Sequence, residues 1–178
     1  IELIEDFHAK GYETTCNIMA ISKSFDDELD QVLQTLAQTN VDVIYIADSF
    51  GSFYPEQINK LTAKYLGAAK PVGKKVGIHA HNNLTLAYAN TLEAMIYGTS
   101  YLDVTVSGLG RGAGNCAMEL LLGFLKNPKY ELLPVLKFIE EHIVPLEKEL
   151  DWGPSVPYIL TGHLNEHPRP AMKARDEG

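Results

Sequence analysis

The sequence has little of what a secreted, membrane-spanning or nucleic-acid-binding protein needs. Only two cysteines, Cys16 and Cys116, occur among 178 residues, which excludes a disulfide framework and a paired zinc-knuckle pattern. No apolar run reaches the length of a membrane span, and no signal peptide opens the chain. Acidic residues outnumber basic ones by 23 to 15, for a formal net charge of −8, which argues against nucleic acid or an anionic membrane as a partner. We therefore expect a cytoplasmic protein.

Segments of strand and helix character alternate along the first 126 residues. Hydrophobic residues make up 46% of the chain, enough for one compact domain with a sizeable core. Four β-branched or apolar segments, each followed by helical periodicity, predict strands at residues 12–22, 41–47, 75–81 and 101–107. Each unit is about 30 residues long, the size of one βαβ repeat. An open doubly wound sheet and part of a (β/α)₈ barrel both fit this parallel α/β pattern.

Helix boundaries and the rest of the chain are predicted from caps and periodicity. An amphipathic helix occupies residues 1–10, so the chain is expected to begin inside an element whose N-terminal context lies elsewhere. Ser24 is the expected N-cap of the second helix, and later helices are expected at residues 55–67, 84–97 and 116–125. A long helix over residues 131–150 is expected to be interrupted at Pro145 or to end there. We divide the chain into a partial barrel, residues 1–126, and a C-terminal helical and loop extension, residues 127–178.

A short strand-like run, residues 77–83, contains two histidines two positions apart. Side chains alternate between the faces of a strand, so His79 and His81 project to the same side. Two neighbouring imidazoles can bind one divalent transition-metal ion, although a polar strand end whose histidines only form hydrogen bonds has the same pattern. Both histidines, and Asp48 after an earlier strand, lie near the carboxyl ends of predicted parallel strands, where barrels and open sheets place their chemistry.

A glycine-rich loop, residues 108–114, follows the fourth predicted strand. Gly108, Gly110 and Ala113 satisfy the loose dinucleotide-binding pattern, but that pattern belongs in a first strand–helix turn and needs an acidic ribose partner, which we do not find. Alternatively, the glycines let the backbone approach a site closely and deliver Asn115 at a helix start. Its amide oxygen is a neutral ligand for hard cations, and helix capping is its other possible role. Two imidazoles and one amide leave a 2+ ion short of anionic ligands.

Several separated motifs together resemble the metal-dependent aldolase and lyase superfamily with an HMG-CoA-lyase-like barrel. They are Asp48-Ser49-Phe50-Gly51, His79-Ala80-His81-Asn82-Asn83-Leu84, Ala89-Asn90-Thr91, and the glycine-rich loop with Asn115. Within the superfamily they are most similar to 4-hydroxy-2-oxovalerate aldolases, because Asn82 stands where HMG-CoA lyases have Asp and the loop lacks the Glu-Arg pair of Claisen-type synthases. The resemblance covers residues 1–126 and implies the C-terminal four strand–helix units of a TIM (β/α)₈ barrel.

The resemblance implies a metal site that this chain completes only in part. His79 and His81 would be metal ligands, and Asn115 a direct or second-tier ligand. The implied ion is a divalent cation, Mn²⁺, with Mg²⁺, Co²⁺ or Zn²⁺ as alternatives. Family members take an anionic ligand, and an arginine that stabilises the enolate, from an Asp-x-Thr-Leu-Arg-Asp-Gly-like motif on the first strand, which this sequence does not contain. We therefore expect a truncated or excised half, completed by an N-terminal half-barrel or by self-association.

The activity implied by the resemblance is cleavage of a 4-hydroxy-2-oxo acid to pyruvate or a related 2-oxo acid and an aldehyde. The metal would act as a Lewis acid on the developing enolate, and the general base is expected outside this chain. Asp48 and Ser49 would contact substrate or hold a ligand, or else cap the strand end. Arg111 would bind a substrate carboxylate or simply be solvated. A Claisen-type synthase that joins an acyl-CoA to a 2-oxo acid, and a non-catalytic half-barrel module, are the alternatives.

The proline-rich tail contains a second group of polar residues. His163, Asn165 and His167 could form a polar cluster there, but loop histidines usually have no special role.

Overall fold

A computed structural model of the chain, which describes residues 1–176, contains a four-stranded parallel sheet whose strands follow one another in sequence order. The strands are β1 (Thr15–Ile18), β2 (Val43–Asp48), β3 (Lys75–Ala80) and β4 (Tyr101–Asp103). Their order in the sheet is β1-β2-β3-β4, and every neighbouring pair is parallel. A doubly wound sheet reverses its strand order at a switch point, and this sheet does not. The predicted parallel α/β fold is confirmed, and its connectivity is that of a barrel segment.

The helices that follow the four strands form a single layer on one face of the sheet. Neighbouring helices of this layer pack against one another in chain order, and its central helices pack against β2 and β3. The helices are α1 (Glu2–Ala9), α2 (Asp26–Ala37), α3 (Pro55–Ala69), α4 (Ala87–Ile96), α5 (Met118–Leu125), α6 (Leu132–Phe138), α7 (Val144–Glu147), α8 (Val156–His163) and α9 (Arg169–Asp176). None of the helices within residues 1–176 is long and apolar enough to cross a membrane.

The apolar core lies between the sheet and this helix layer. Ile44, Ile46 and Ile78 on the strands are 0% exposed and pack with Ile58 and Tyr65 of α3, which are equally buried. Burial of this kind supplies most of the stability of a domain, at about 25 cal/mol per Å² of apolar surface. One face of the sheet therefore serves packing, and the alternate residues of the same strands are available for other roles.

The opposite face of the sheet carries polar and aromatic side chains. Tyr45, Gly77 and Tyr101 lie at the same level on β2, β3 and β4, and His79 lies level with Asp103. The ring of Tyr45 lies directly over Gly77, since a Cβ added to Gly77 would be 2.5 to 2.7 Å from three of its ring atoms. Glycine is therefore required at residue 77 for the tyrosine to lie across the sheet.

Two predicted boundaries near the first strand are wrong because Ala20, which is not a glycine, has a left-handed backbone conformation. β1 ends at Ile18 rather than at residue 22, since Ala20 has a φ of 54° and begins a 3₁₀ turn, Ile21–Lys23. Ser24 is not the N-cap of α2, because its N–H closes that turn. Phe25 occupies the N-cap position, and its N–H donates to Glu28 Oε2 at 3.1 Å.

The start of α4 also differs from the prediction. The helix begins at Ala87 rather than at residue 84, because Thr85 has a φ of 59°. The N–H of Ala87 donates to Asn82 Oδ1 at 3.2 Å, so the asparagine after the histidine pair caps this helix.

Elements in the second half are shorter than predicted or differently broken. β4 ends at Asp103 rather than at residue 107, and α5 begins at Met118 rather than at residue 116. Pro145 does not interrupt its helix: a π-helical turn, Ile139–Ile143, joins α6 to α7, and Pro145 lies in the first turn of α7. The short helices predicted for the tail are present as α8 and α9, while residues 177 and 178 lie outside the described chain.

We predict that Gly77→Ala lowers the unfolding free energy of the full-length protein by about 1–3 kcal/mol, because the added methyl group overlaps the Tyr45 ring. Gly67→Ala is the matched control, since a Cβ at that helical position meets open space and alanine is the better helix former. Urea unfolding followed by circular dichroism measures both. Equal stability of the two variants would show that the Tyr45 ring is free to move aside.

Candidate functional site

His79 and His81 lie side by side at the carboxyl end of β3. Their ring centroids are 4.9 Å apart and the ring planes are nearly perpendicular, at 79°. The backbone of His81 also forms an isolated antiparallel bridge with Asn115. A cleft of about 300 Å³ is lined by His79, Asp103 and Asn115 among others. The three residues predicted as metal ligands are therefore neighbours at the carboxyl end of β3.

Each histidine is oriented by a hydrogen bond at its Nδ1 atom. His81 Nδ1 lies 2.9 Å from the backbone oxygen of Asp48, and His79 Nδ1 lies 3.1 Å from Asp103 Oδ2. A carbonyl oxygen only accepts, so His81 Nδ1 carries the proton, and the Asp103 carboxylate favours the same tautomer for His79. The Nε2 atom of each ring then keeps its lone pair. Burial, more than the positive charge of neighbours, lowers the pKa of His81 to about 4, so this ring is neutral at pH 7.

Asn115 contributes an oxygen atom that has no partner within residues 1–176. Its Nδ2 donates to the Leu109 carbonyl at 3.1 Å, which identifies the other atom as Oδ1, and this Oδ1 is buried without a hydrogen bond. Buried polar atoms are normally satisfied, so an unpaired acceptor indicates a place where a ligand belongs. A Cβ at Gly110 would overlap Asn115 Nδ2, and one at Gly114 would overlap the Gly108 carbonyl. The glycines therefore allow the tight loop that carries Asn115.

The donor atoms fit a divalent cation that keeps other coordination positions open. Two imidazole nitrogens and one amide oxygen are neutral ligands suited to a hard or borderline ion. In the chain as described, no three His, Cys, Asp or Glu residues form a metal-binding group. A cation held here would therefore have an amide as its third donor, and its anionic ligands would have to come from substrate or from outside these residues.

Asp48 and Ser49 have structural partners in addition to their place beside the site. The Asp48 side chain is 0% exposed and accepts hydrogen bonds from the N–H groups of Ser52 and Phe53 at 3.0 and 3.4 Å. Burial raises the pKa of this carboxyl to about 6, although these hydrogen bonds oppose the shift. Ser49 Oγ accepts a hydrogen bond from the Ala20 N–H at 2.9 Å. Asp48 thus shapes its own loop with its carboxylate and orients His81 with its carbonyl oxygen.

Arg111 is exposed on the glycine-rich loop and forms no ion pair with another residue of the described chain. Its positive charge contributes to lowering the pKa of both His81 and His167. Arg111 therefore lies within electrostatic range of the site and of the C-terminal tail.

Sequence reasoning missed Asp103 as the partner of His79. Asp103 lies opposite His79 on the neighbouring strand, and the pKa of Tyr45 is raised by burial and by the charge and hydrogen bonding of Asp103. Asp103 thus faces His79 directly and lies close enough to Tyr45 for its charge to act on that phenol. The available signal was an acidic residue within a predicted strand, but only the register between strands identifies its partner.

The C-terminal extension packs on the glycine-rich loop. Trp152 Nε1 donates to the Ser107 carbonyl at 3.2 Å, and the Gly153 N–H donates to Gly112 at 3.0 Å. Tyr158 is fully buried, and a Cβ at Gly112 would be 3.0 Å from its ring. Residues far apart in sequence therefore build the surroundings of Asn115 together.

Comparisons with known proteins agree on one family. A family model described as HMGL-like matches residues 1–139. The chain is 36% identical over 123 residues to oxaloacetate decarboxylase of Mycobacterium tuberculosis, a match that covers 69% of this chain and 36% of that protein. It is 33% identical over 140 residues to 4-hydroxy-2-oxovalerate aldolase of Chloroflexus aurantiacus, covering 76% of this chain and 40% of that protein. The chain thus spans about a third to two fifths of the length of these curated relatives.

Solved structures share the fold. The N-terminal domain of a candidate aldolase from Bacteroides vulgatus superposes with a TM-score of 0.84 at 29% identity, covering 99% of this chain and 58% of that chain. The carboxyl transferase domain of Rhizobium etli pyruvate carboxylase, crystallised with oxalate, gives a TM-score of 0.71 at 15% identity, covering 97% of this chain and 32% of that chain. The second likeness concerns the fold alone.

We predict that Asp48→Ala lowers the unfolding free energy by about 1–3 kcal/mol, because the N–H groups of Ser52 and Phe53 lose their acceptor in a buried loop. Asp48→Asn keeps an acceptor oxygen and should lose less. Thermal and urea unfolding of both variants of the full-length protein measure the difference. Equal losses would mean that the negative charge of Asp48, rather than its hydrogen bonds, holds the loop.

Proposed function

The chain belongs to the HMGL-like family, and from that premise we propose that the full-length protein is a divalent-metal-dependent aldolase. The proposed reaction cleaves a 4-hydroxy-2-oxo acid to pyruvate or a related 2-oxo acid and an aldehyde. The observation that carries the proposal lies at the carboxyl end of β3. There the rings of His79 and His81 are adjacent, and Asn115, which bridges to His81, has a buried Oδ1 without a hydrogen bond. Relatives named 4-hydroxy-2-oxovalerate aldolase, 30% to 42% identical to this chain, support the choice of reaction.

In this proposal His79, His81 and Asn115 hold the cation, Mn²⁺ by preference, with Mg²⁺, Co²⁺ or Zn²⁺ as alternatives. The bound cation supplies Lewis-acid stabilisation of the negative charge that develops on the keto oxygen during carbon–carbon cleavage. Asp103 and the Asp48 carbonyl hold both imidazoles in the tautomer whose Nε2 atom is free to bind. Removing such a hydrogen-bond partner of a metal ligand typically lowers metal affinity or activity 10- to 100-fold.

We assign the base that takes the proton of the 4-hydroxyl group to no residue of this chain. His79 and His81 are occupied as ligands, the Asp48 carboxylate is buried under its own loop, and Ser49 Oγ is hydrogen-bonded to the β1 turn. We propose that the base and an anionic ligand come from an N-terminal half-barrel or from a second copy of the chain.

The unpaired outer strands of the sheet are evidence for such a partner. β1 and β4 each have a single neighbour within the described residues, and an unpaired strand edge is a ready template for association. Leu3 and Phe7 of α1 are 71% and 46% exposed, and Leu120 and Phe124 of α5 are 52% and 48% exposed. Apolar side chains therefore flank both edges, as they would where further strand–helix units pack.

We also propose that residues 1–126 supply the partial barrel and that residues 127–178 are an extension which completes the site. The hydrogen bond from Trp152 to Ser107 and the burial of Tyr158 against Gly112 support this role for the extension.

His79→Ala and His81→Ala should each remove most of the Mn²⁺ bound by the full-length protein, because the remaining ligands are too few to hold the ion. His8→Ala and His142→Ala are the matched controls, since both side chains are exposed on helices. Metal analysis after dialysis gives the bound content of each variant. Unchanged metal in the His79 and His81 variants would overturn the ligand assignment.

The full-length, Mn²⁺-loaded protein should cleave a 4-hydroxy-2-oxo acid and catalyse the reverse condensation of pyruvate with short aldehydes. The parallel assay supplies acetyl-CoA with 2-oxo acids and follows release of free CoA. Aldol turnover that stops on chelation of the metal is the expected result. Thioester-dependent turnover without aldol cleavage would favour a Claisen-type synthase, and metal binding without any turnover would favour a non-catalytic module.

A further inference from the structure

Thr105 lies two residues beyond Asp103, on the same face of the sheet. Its backbone is extended, with a φ of −129° and a ψ of 152°, so the alternation of side chains along β4 continues through it. Val104, between the two, packs against the apolar core. The side chains of Asp103 and Thr105 are therefore both on the polar face, away from the helix layer.

The backbone of Thr105 is anchored to the segment that follows the glycine-rich loop. The Thr105 N–H donates to the Cys116 carbonyl at 3.0 Å, and the Thr105 carbonyl accepts from the Met118 N–H at 2.8 Å. A parallel bridge joins Thr105 to Ala117. Thr105 therefore has a defined position next to the segment that carries Asn115.

Thr105 also lines the cleft of about 300 Å³ that His79, Asp103 and Asn115 line. Its Oγ1 atom is buried and has no hydrogen-bond partner among residues 1–176, and the same is true of Asn115 Oδ1. Buried polar atoms are normally paired. Two unpaired oxygen atoms on residues of one small cleft indicate that bound groups supply their partners.

The hydroxyl group of Thr105 is the side-chain donor that the residues around this cleft leave uncommitted. His79 Nδ1 faces the Asp103 carboxylate, which only accepts, and Asn115 Nδ2 donates to a backbone carbonyl. The other two residues that line the cleft have apolar side chains. A molecule bound in the cleft would therefore meet one O–H donor beside the candidate metal ligands.

The polar cluster predicted in the tail is, by contrast, committed to holding the chain together. Ser52 Oγ donates to Asn165 Oδ1 at 2.9 Å, and Asn165 Nδ2 donates to the Ser22 carbonyl at 2.9 Å. His167 Nδ1 accepts a hydrogen bond from a backbone N–H at 3.1 Å. These side chains fasten the tail to the loops after β1 and β2, whereas the Thr105 hydroxyl has no such structural contact.

A 2-oxo acid has the set of atoms that complements this cleft. Its keto and carboxylate oxygens are all acceptors, and chelation of a cation uses the keto oxygen and one carboxylate oxygen. The second carboxylate oxygen then needs a donor, and a hydrogen bond from a hydroxyl group to a carboxylate is charge-assisted. A volume of about 300 Å³ lies at the lower end of the range for small-molecule sites, which suits a short acid.

We propose that the Thr105 hydroxyl group binds the carboxylate of the 2-oxo acid at the metal centre, by donating to the carboxylate oxygen that does not contact the cation. This inference rests on the proposed function, because it takes the 2-oxo acid to chelate the metal ion. Thr105 is then a substrate-binding residue that neither ligates the metal nor stabilises the fold through its hydroxyl. Removing the hydroxyl should weaken substrate binding and leave metal content and stability intact.

Calorimetric titration of the Mn²⁺-loaded full-length protein with oxalate and with pyruvate tests this role without any turnover. Thr105→Val replaces the hydroxyl with a methyl group of similar size and should weaken the binding of both probes about tenfold or more, the effect of one charge-assisted hydrogen bond. Thr105→Ser keeps the donor and should stay within about threefold of wild type. Thr105→Val should retain the wild-type Mn²⁺ content, and its urea midpoint should equal or exceed that of wild type, because a buried hydroxyl without a partner costs stability.

Thr99→Val is the matched control, since Thr99 Oγ1 is likewise buried and unpaired within residues 1–176 but lies before β4, at its opposite end. This variant should keep the wild-type affinity for both probes. Equal affinities of Thr105→Val and Thr99→Val would contradict the inference while leaving the proposed aldolase in place, and so would a loss in Thr105→Val that comes with less Mn²⁺ or a lower urea midpoint. If wild-type protein bound neither probe in a Mn²⁺-dependent way, the proposed function itself would fail, and the role of Thr105 with it.

Discussion

The parallel register of β2, β3 and β4 is the constraint on which the rest of the structure depends. It sets Ala47, His79 and Asp103 at one level, so that the carboxylate faces the imidazole across neighbouring strands. A slip of one residue would send His79 and His81 into the helix layer and their apolar neighbours to the polar face. Burial of Ile44, Ile46 and Ile78 opposes that slip. The hydrophobic core therefore determines the geometry of the polar site.

Local patterns were sufficient to predict the units of the fold and part of the site. Apolar runs and helical stripes predict four strand–helix pairs, and a period of two places His79 and His81 on the same side. The choice between barrel and doubly wound sheet could not be made locally, because strand order depends on contacts between distant segments. Left-handed backbone at Ala20 and Thr85 gave no sequence signal, since the residues there are not glycine or asparagine. Those two positions account for the displaced ends of β1 and α4.

The partners of the site residues were the least predictable part. Asp103 and Tyr45 become neighbours of His79 only through strand register. Whether Asn115 supplies a ligand or a helix cap could not be decided from the sequence. The structure excludes the cap, because Ala117 is the N-cap of α5 and the Asn115 side chain donates to the Leu109 carbonyl instead. The structure adds that its Oδ1 is buried and unpaired. Contacts of the extension with the glycine-rich loop lie beyond any local pattern, because they join segments about 45 residues apart.

The two hydrogen bonds of Asn165 also bear on the order in which the molecule is completed. They join positions 143 and 113 residues apart in the chain, to Ser22 and Ser52 respectively. Closing loops of that length costs more chain entropy than pairing adjacent strand–helix units. These two hydrogen bonds are therefore expected to form later in folding. During synthesis, all four strands leave the ribosome before the residues that cover their carboxyl ends. The carboxyl ends of the strands are thus open to water, and to any metal ion in it, until Asn165 and its neighbours are synthesised and pack over them.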